Sequence, residues 1–176
     1  MPNPRLPKHW ITSNFIQRLT RETNHQAWLL DKTSLTQKLR AHCDDFRVEL
    51  IFEGYATPLL DEALRLNLAP HHQAWLRTVC LIGQNQPIVY ARSVIPHFDQ
   101  QNPWWSLKQL GDQPLGEILF SRTDLNRSEF EFCQADWPQI SAPQKLARRC
   151  SFEQHHAPLL LTEVFLDWSH LIQQPN

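Results

Sequence analysis

Leu159-Leu160-Leu161-Thr162-Glu163-Val164-Phe165-Leu166 is an apolar run of strand length, preceded by the turn-forming segment Gln154-His155-His156-Ala157-Pro158. With the two-residue period of a strand, Glu163 shares a face with Leu159, Leu161 and Phe165. Leu146 to Glu153, on the other side of that segment, predicts the second arm of a hairpin. Working outward, Trp75 to Ile82 and Ile88 to Ile95 read as two more strands joined by the loop Gly83-Gln84-Asn85-Gln86-Pro87. Phe46, Val48, Leu50 and Phe52 alternate with Arg47, Glu49 and Glu53, a half-exposed strand that Gly54 is expected to end. Glu129 to Cys133 alternates again. Neighbouring strands with short connections imply an antiparallel sheet. Helices are expected over Asn24 to Leu30 and from a cap at Thr33-Ser34, with Leu35 and Leu39 on one face. Trp104 to Leu110 and Leu115 to Phe120 read as short helices separated by Gly111-Asp112-Gln113-Pro114. The expected class is α+β, an antiparallel sheet with helices packed on it.

Composition narrows the function classes. The chain has 176 residues, so one domain over 1–176 is expected, with 1–23 a loose or extended N-terminal segment. A chain of this size buries roughly 70% of its unfolded surface, enough for a real core. With 17 basic and 18 acidic residues there is no positive excess to neutralise phosphates, so nucleic acid is not expected as a partner. Apolar runs such as Pro158 to Phe165 are too short to span a bilayer. The start Met1-Pro2-Asn3-Pro4-Arg5 has no apolar signal core, so no export is expected. Cys43, Cys80, Cys133 and Cys150 are widely spread and read as reduced thiols of a cytoplasmic protein. Only 4 Gly stand against 13 Pro, which argues against glycine-rich phosphate loops.

Two charges stand out of place. Glu163 lies on an apolar strand face, and Arg77 shares a face with Trp75, Val79 and Leu81 in a strand apolar on both sides. A buried charge is costly unless it is paired or meets a ligand. Two readings stay open: a structural salt bridge, or an enclosed cavity in which both charges meet a small polar molecule.

Other candidates carry less. His71-His72 and His155-His156 are adjacent pairs in expected loops whose side chains point apart. No Cys or carboxylate repeats at ligand spacing, so no metal site and no cofactor are expected. Arg148-Arg149 reads as a solvated pair, although it could hold an anion, and Trp104-Trp105 reads as packing. No Gly-x-Ser-x-Gly, Gly-x-Gly-x-x-Gly or Gly-Lys-Ser/Thr occurs, which weakens hydrolase, dinucleotide and nucleotide readings.

Five stretches together resemble the chorismate pyruvate-lyases, the family that supplies 4-hydroxybenzoate for ubiquinone synthesis. They are Trp75-Leu76-Arg77, Ala91-Arg92-Ser93-Val94-Ile95-Pro96, the run Leu110 to Phe120, Ala147-Arg148-Arg149, and Pro158 to Leu166. They fall in order and span about residues 25–166. The resemblance implies an antiparallel sheet with helical flaps over a buried ligand pocket, a monomer, and elimination of pyruvate from chorismate. It also carries over ligand positions: Arg77, Glu163, the backbone amide of Leu115, and a backbone contact at Leu35, where the family usually has methionine. Arg77 would then stabilise the departing oxygen or the side-chain carboxylate. Glu163 would accept a hydrogen bond from the ring hydroxyl and assist proton transfer. The Leu115 and Leu35 amides would hold the ring carboxylate at helix starts. The competing class is a non-catalytic binding module, because ligand-sensing domains of some transcription regulators resemble this fold. Those normally follow a DNA-binding winged helix, for which about 24 N-terminal residues leave no room.

Overall fold

The strand-forming runs of the sequence meet in one antiparallel sheet in the computed structural model, which describes residues 7–69 and 71–172. The strands are β1 (Ile11–Thr12), β2 (Arg47–Ala56), β3 (Ala74–Gly83), β4 (Gln86–Ile95), β5 (Asn126–Arg127), β6 (Glu131–Trp137), β7 (Ala142–Gln154) and β8 (Ala157–Phe165). Their order is β1-β6-β7-β8-β4-β3-β2, with β5 paired to β7. The helices are α1 (Thr23–Leu30), α2 (Leu35–His42), α3 (Leu60–Arg65), α4 (Leu115–Ser121) and α5 (Ser169–Ile172), joined by 3-10 turns that include Trp105–Gln109.

Both central hairpins close more tightly than the sequence predicts. The β3–β4 turn is only Gln84-Asn85 and the β7–β8 turn only His155-His156, all four residues left-handed. Such two-residue turns match the right-handed twist of the arms. Asp45 holds the first of them by accepting from the Gln84 and Asn85 amides. Gly54 does not end β2, which stays paired to β3 as far as Ala56 opposite Ala74. A register shift between Leu50 and Phe52 breaks the expected alternation there. Leu50, Ile51 and Phe52 are consequently 43%, 52% and 42% exposed on this edge strand.

Residues 7–23 are less loose than expected, whereas 1–6 lie outside the described residues. Ile11 and Thr12 pair with Phe132 and Glu131, Ile16 is buried, and the Trp10 indole donates to Asp61 at 2.9 Å. The expected helix at Trp104–Leu110 is a 3-10 turn, and α3 was not anticipated.

Register sorts the sheet into two faces. On one, Glu53, Arg77, Ser93, Leu161 and Cys150 lie in a row across β2, β3, β4, β8 and β7. The adjacent row is Val79, Ala91, Glu163, Arg148 and Phe132. The main core lies on this face, where Trp28, Leu29, Leu35, Leu39, Leu115 and Leu119 of the helices pack on the strands. The other face carries Thr78, Arg92, Thr162, Arg149 and Glu131 in one row. Here α3 brings down two carboxylates: Glu62 takes a double hydrogen bond from Arg92 at 2.6 and 3.1 Å, and Asp61 lies 3.5 Å from Arg149. Arg149 also reaches Glu131 at 2.8 Å.

Candidate active site

On the first face a cavity of about 360 Å³, its mouth included, is lined by Thr36, Arg77, Val79, Leu81, Ala91, Ser93, Pro114, Leu115, Gly116, Leu161 and Glu163. Strand periodicity puts Arg77 and Glu163 on this face, and the pairing of β3 and β8 with β4 brings them to one cavity. The two do not form an ion pair with each other; each has a different surrounding.

Arg77 is 5% exposed and, among the described residues, has no carboxylate within salt-bridge distance. Its Nη2 donates to the carbonyls of Gly111 and Gln113 at 2.8 and 3.0 Å, while its buried Nε–H has no acceptor among the described residues. Burial pushes this guanidinium below the usual arginine range, opposed by the charges of Glu53 and Asp112. A buried cation satisfied only by main-chain carbonyls retains a full charge for an anionic ligand. The same two bonds fasten the Gly111-Asp112-Gln113-Pro114 turn over the cavity. Gly111 there is left-handed (φ 57°), a conformation glycine adopts without strain.

Glu163 is 8% exposed and lies beside the cavity between Ala91 and Arg148. Its Oε2 accepts from Arg148 Nε at 2.6 Å. Its Oε1 has no hydrogen-bond partner among the described residues. Arg148 is not the solvated residue the sequence suggests, and neither is Arg149; they are 2% and 6% exposed. The physical reason is their register. Arg148 falls on the core face beneath α1 and Arg149 on the opposite face beneath α3, so each meets carboxylates instead of water. Of the two readings open for Glu163, the salt bridge is therefore present, but it occupies one carboxylate oxygen.

Two helix starts complete the mouth. Leu115 is the first residue of α4 and lines the cavity. Leu35 is the first residue of α2, capped by Ser34, whose hydroxyl accepts from Gln37 N at 3.4 Å. The Leu35 side chain is buried in the main core, and the lining residue from this helix is Thr36. The first amides of a helix have no acceptor within it, and of those in α2 the Ser34 hydroxyl takes Gln37 N. The helices meet closely there: a Cβ on Gly116 would stand 2.9 Å from Thr36 Oγ1. Thr36, Ser93 and Arg148 were not singled out as site residues from the sequence. A period-two reading that places Arg148 with Leu146 and Cys150 on one face would have found the last.

Comparison with known proteins follows the same lines. The family model described as chorismate lyase matches residues 7–175. A probable chorismate pyruvate-lyase of Hydrogenovibrio crunogenus is 41% identical over 169 residues, covering 92% of this chain and 91% of that protein. A chorismate pyruvate-lyase of Pectobacterium atrosepticum is 33% identical over 151 residues, covering 85% and 80%. Among solved structures, the effector domain of PhnF from Mycobacterium smegmatis aligns with a TM-score of 0.52 at 13% identity, covering 78% of this chain and 90% of that one. The C-terminal domain of a histidine utilization repressor from Pseudomonas syringae aligns at 0.51 and 11% identity, covering 74% and 98%. At such identities these two domains show a shared α+β fold. The match over nearly the whole chain, with relatives above 30% identity, establishes that this chain belongs to the chorismate lyase family.

Proposed function

We propose that this lyase cleaves chorismate to 4-hydroxybenzoate and pyruvate in the cavity between Arg77 and Glu163. The observation that carries the residue roles is the pairing of unlike buried groups: a cation without a carboxylate partner and a carboxylate with one oxygen unengaged, lining one small cavity. Chorismate presents two carboxylates, an enol ether and a ring hydroxyl. Breaking the ring–oxygen bond and losing one ring hydrogen makes the ring aromatic, and that proton ends on the departing enolpyruvate to give pyruvate. The step is downhill and needs no external electron acceptor. What the protein must supply is one bound conformer and stabilisation of charge on the leaving oxygen.

In this reading the Arg77 guanidinium faces the leaving oxygen or the side-chain carboxylate, where developing negative charge strengthens the interaction. Glu163 Oε1 accepts from the ring hydroxyl and assists the proton transfer. The amides at Leu115 and Leu35 hold the ring carboxylate at the meeting helix starts. Val79, Leu81, Ala91 and Leu161 form apolar walls for the flat ring. Among the described residues no helix is long and apolar enough to cross a membrane. A monomer acting in the cytoplasm is part of this proposal.

The test is direct. Purified protein incubated with chorismate should form 4-hydroxybenzoate and pyruvate in equal amounts. Glu163→Gln keeps the side chain's size and removes its charge. Turnover should fall by about 10²-fold or more, the scale of general acid–base assistance, with a much smaller loss of thermal stability. Normal turnover in the folded variant would return Glu163 to a purely structural salt bridge.

A further inference from the structure

We infer that Arg148 is a positioning residue of this active site, acting through Glu163; the inference rests on the role proposed for Glu163 above. Glu163 projects from a strand on which neighbouring apolar side chains leave its rotamer unspecified by any hydrogen bond of their own. Its Oε2 is held at 2.6 Å by Arg148 Nε. Arg148 is itself immobilised: it is 2% exposed, its guanidinium stacks 4.5 Å from the Phe130 ring centre, and it stands directly across the β7–β8 ladder from Glu163.

The far side of the same guanidinium decides the matter. Nη1 lies within hydrogen-bond distance of three main-chain carbonyls, Trp28 at 3.1 Å, Leu29 at 3.3 Å and Asp31 at 2.7 Å. These are the last turn of α1 and the first residue after it, where unsatisfied carbonyls favour a cation. Four residues later α2 begins, and Thr36 in its first turn lines the cavity. One buried guanidinium therefore ties the carboxylate on the cavity floor to the segment that delivers a helix start to the cavity mouth. A plain structural ion pair would need only Nε and Oε2. The carbonyl contacts set the distance between the proton-handling oxygen and the ring-carboxylate amides, which is the geometry a bound chorismate must span. Small displacements of such groups are costly to a reaction that depends on one substrate conformer.

The experiment is a double-mutant cycle on the full chain, using Arg148→Gln, Arg148→Lys and Glu163→Gln, singly and combined. Steady-state kcat and KM for chorismate are measured alongside thermal melting. Arg148→Gln should lower kcat by about 10²-fold, the cost of misplacing a reacting group, with a smaller change in KM. Arg148→Lys, which keeps the charge but not the fork, should recover part of the loss. In the Glu163→Gln background, Arg148→Gln should lower kcat by less than about twofold further, because the group it positions is already gone. Losses that multiply in the double variant, or a folded Arg148→Gln protein with normal kcat, would overturn the inference. If Arg148→Gln does not fold, the cycle is read with Arg148→Lys: non-additivity with Glu163→Gln supports positioning and additivity refutes it. A Glu163→Gln single variant with normal kcat would instead remove the role proposed for Glu163, an outcome read from a different arm.

Discussion

At the scale of single residues, the cavity works by leaving specific hydrogen-bonding capacity unused. Arg77 donates from one terminal nitrogen to two carbonyls and keeps a buried Nε–H without an acceptor among the described residues. An orphaned buried donor costs on the order of 1–3 kcal/mol in the free protein, which an anionic ligand bound as proposed would relieve. Arg77→Ala is therefore expected to weaken 4-hydroxybenzoate binding by roughly 1.5–3 kcal/mol, the value of a charged hydrogen bond. Isothermal titration of the folded variant measures it, and an affinity within about twofold of the parent would show that the ligand does not meet this side chain. Leu115→Ala should matter less, because a backbone amide survives replacement of its side chain.

At the scale of elements, α2 and α4 form a paired mouth whose spacing is set by Gly116. A methyl there would stand 2.9 Å from Thr36 Oγ1. Thr36 is buried and β-branched, so it yields little. Overpacking of about 1–3 kcal/mol is opposed by about 1 kcal/mol of helix propensity gained on replacing glycine with alanine. Gly116→Ala should consequently lower the melting temperature by about 2–4 °C, the shift produced by roughly 1 kcal/mol in a chain of this size. It should raise KM for chorismate more than it lowers kcat, since the substitution parts the helix starts and leaves the Arg77 and Glu163 side chains in place on the sheet. Unchanged melting and KM together would mean that the two helices have room to spare.

At the scale of the whole molecule, release of product from the proposed site requires the segments over the cavity to open. Arg77 belongs to β3 yet fastens the turn preceding α4, and Arg148 belongs to β7 yet fastens the end of α1. The same two buried cations thus hold the segments that lead into the helix starts at the cavity mouth. A flat anionic product fits such a site about as well as the substrate does, and binding a product's ground state slows its departure. Opening of both flaps should then limit turnover. Competitive inhibition by 4-hydroxybenzoate is expected, with progress curves that bend as product accumulates. Linear curves up to high product concentration would show a site that releases freely and would contradict the closed-flap arrangement.

Much of this was written in local pattern. Period-two alternation is a short-range property, so it located β3, β4, β7 and β8 and exposed Glu163 and Arg77 as charges on apolar faces without any knowledge of neighbours. Ser34 likewise announced the start of α2, because capping chemistry is local. The two hairpins were legible from their short connections; what local pattern could not supply was how strands distant in the chain lie beside one another. Adjacency of β8 to β4 on one side and β7 on the other places Glu163 next to Arg148 and within one cavity of Arg77. It also turns Arg148 and Arg149 from an apparent solvated pair into two buried anchors on opposite faces. The same holds for α3, a six-residue helix too short to show a period, which is held by the Glu62–Arg92 and Asp61–Arg149 contacts across the sheet. Burial of charge depends on what covers a face, and cover is contributed by residues distant in the chain, so it became visible only when the chain was folded.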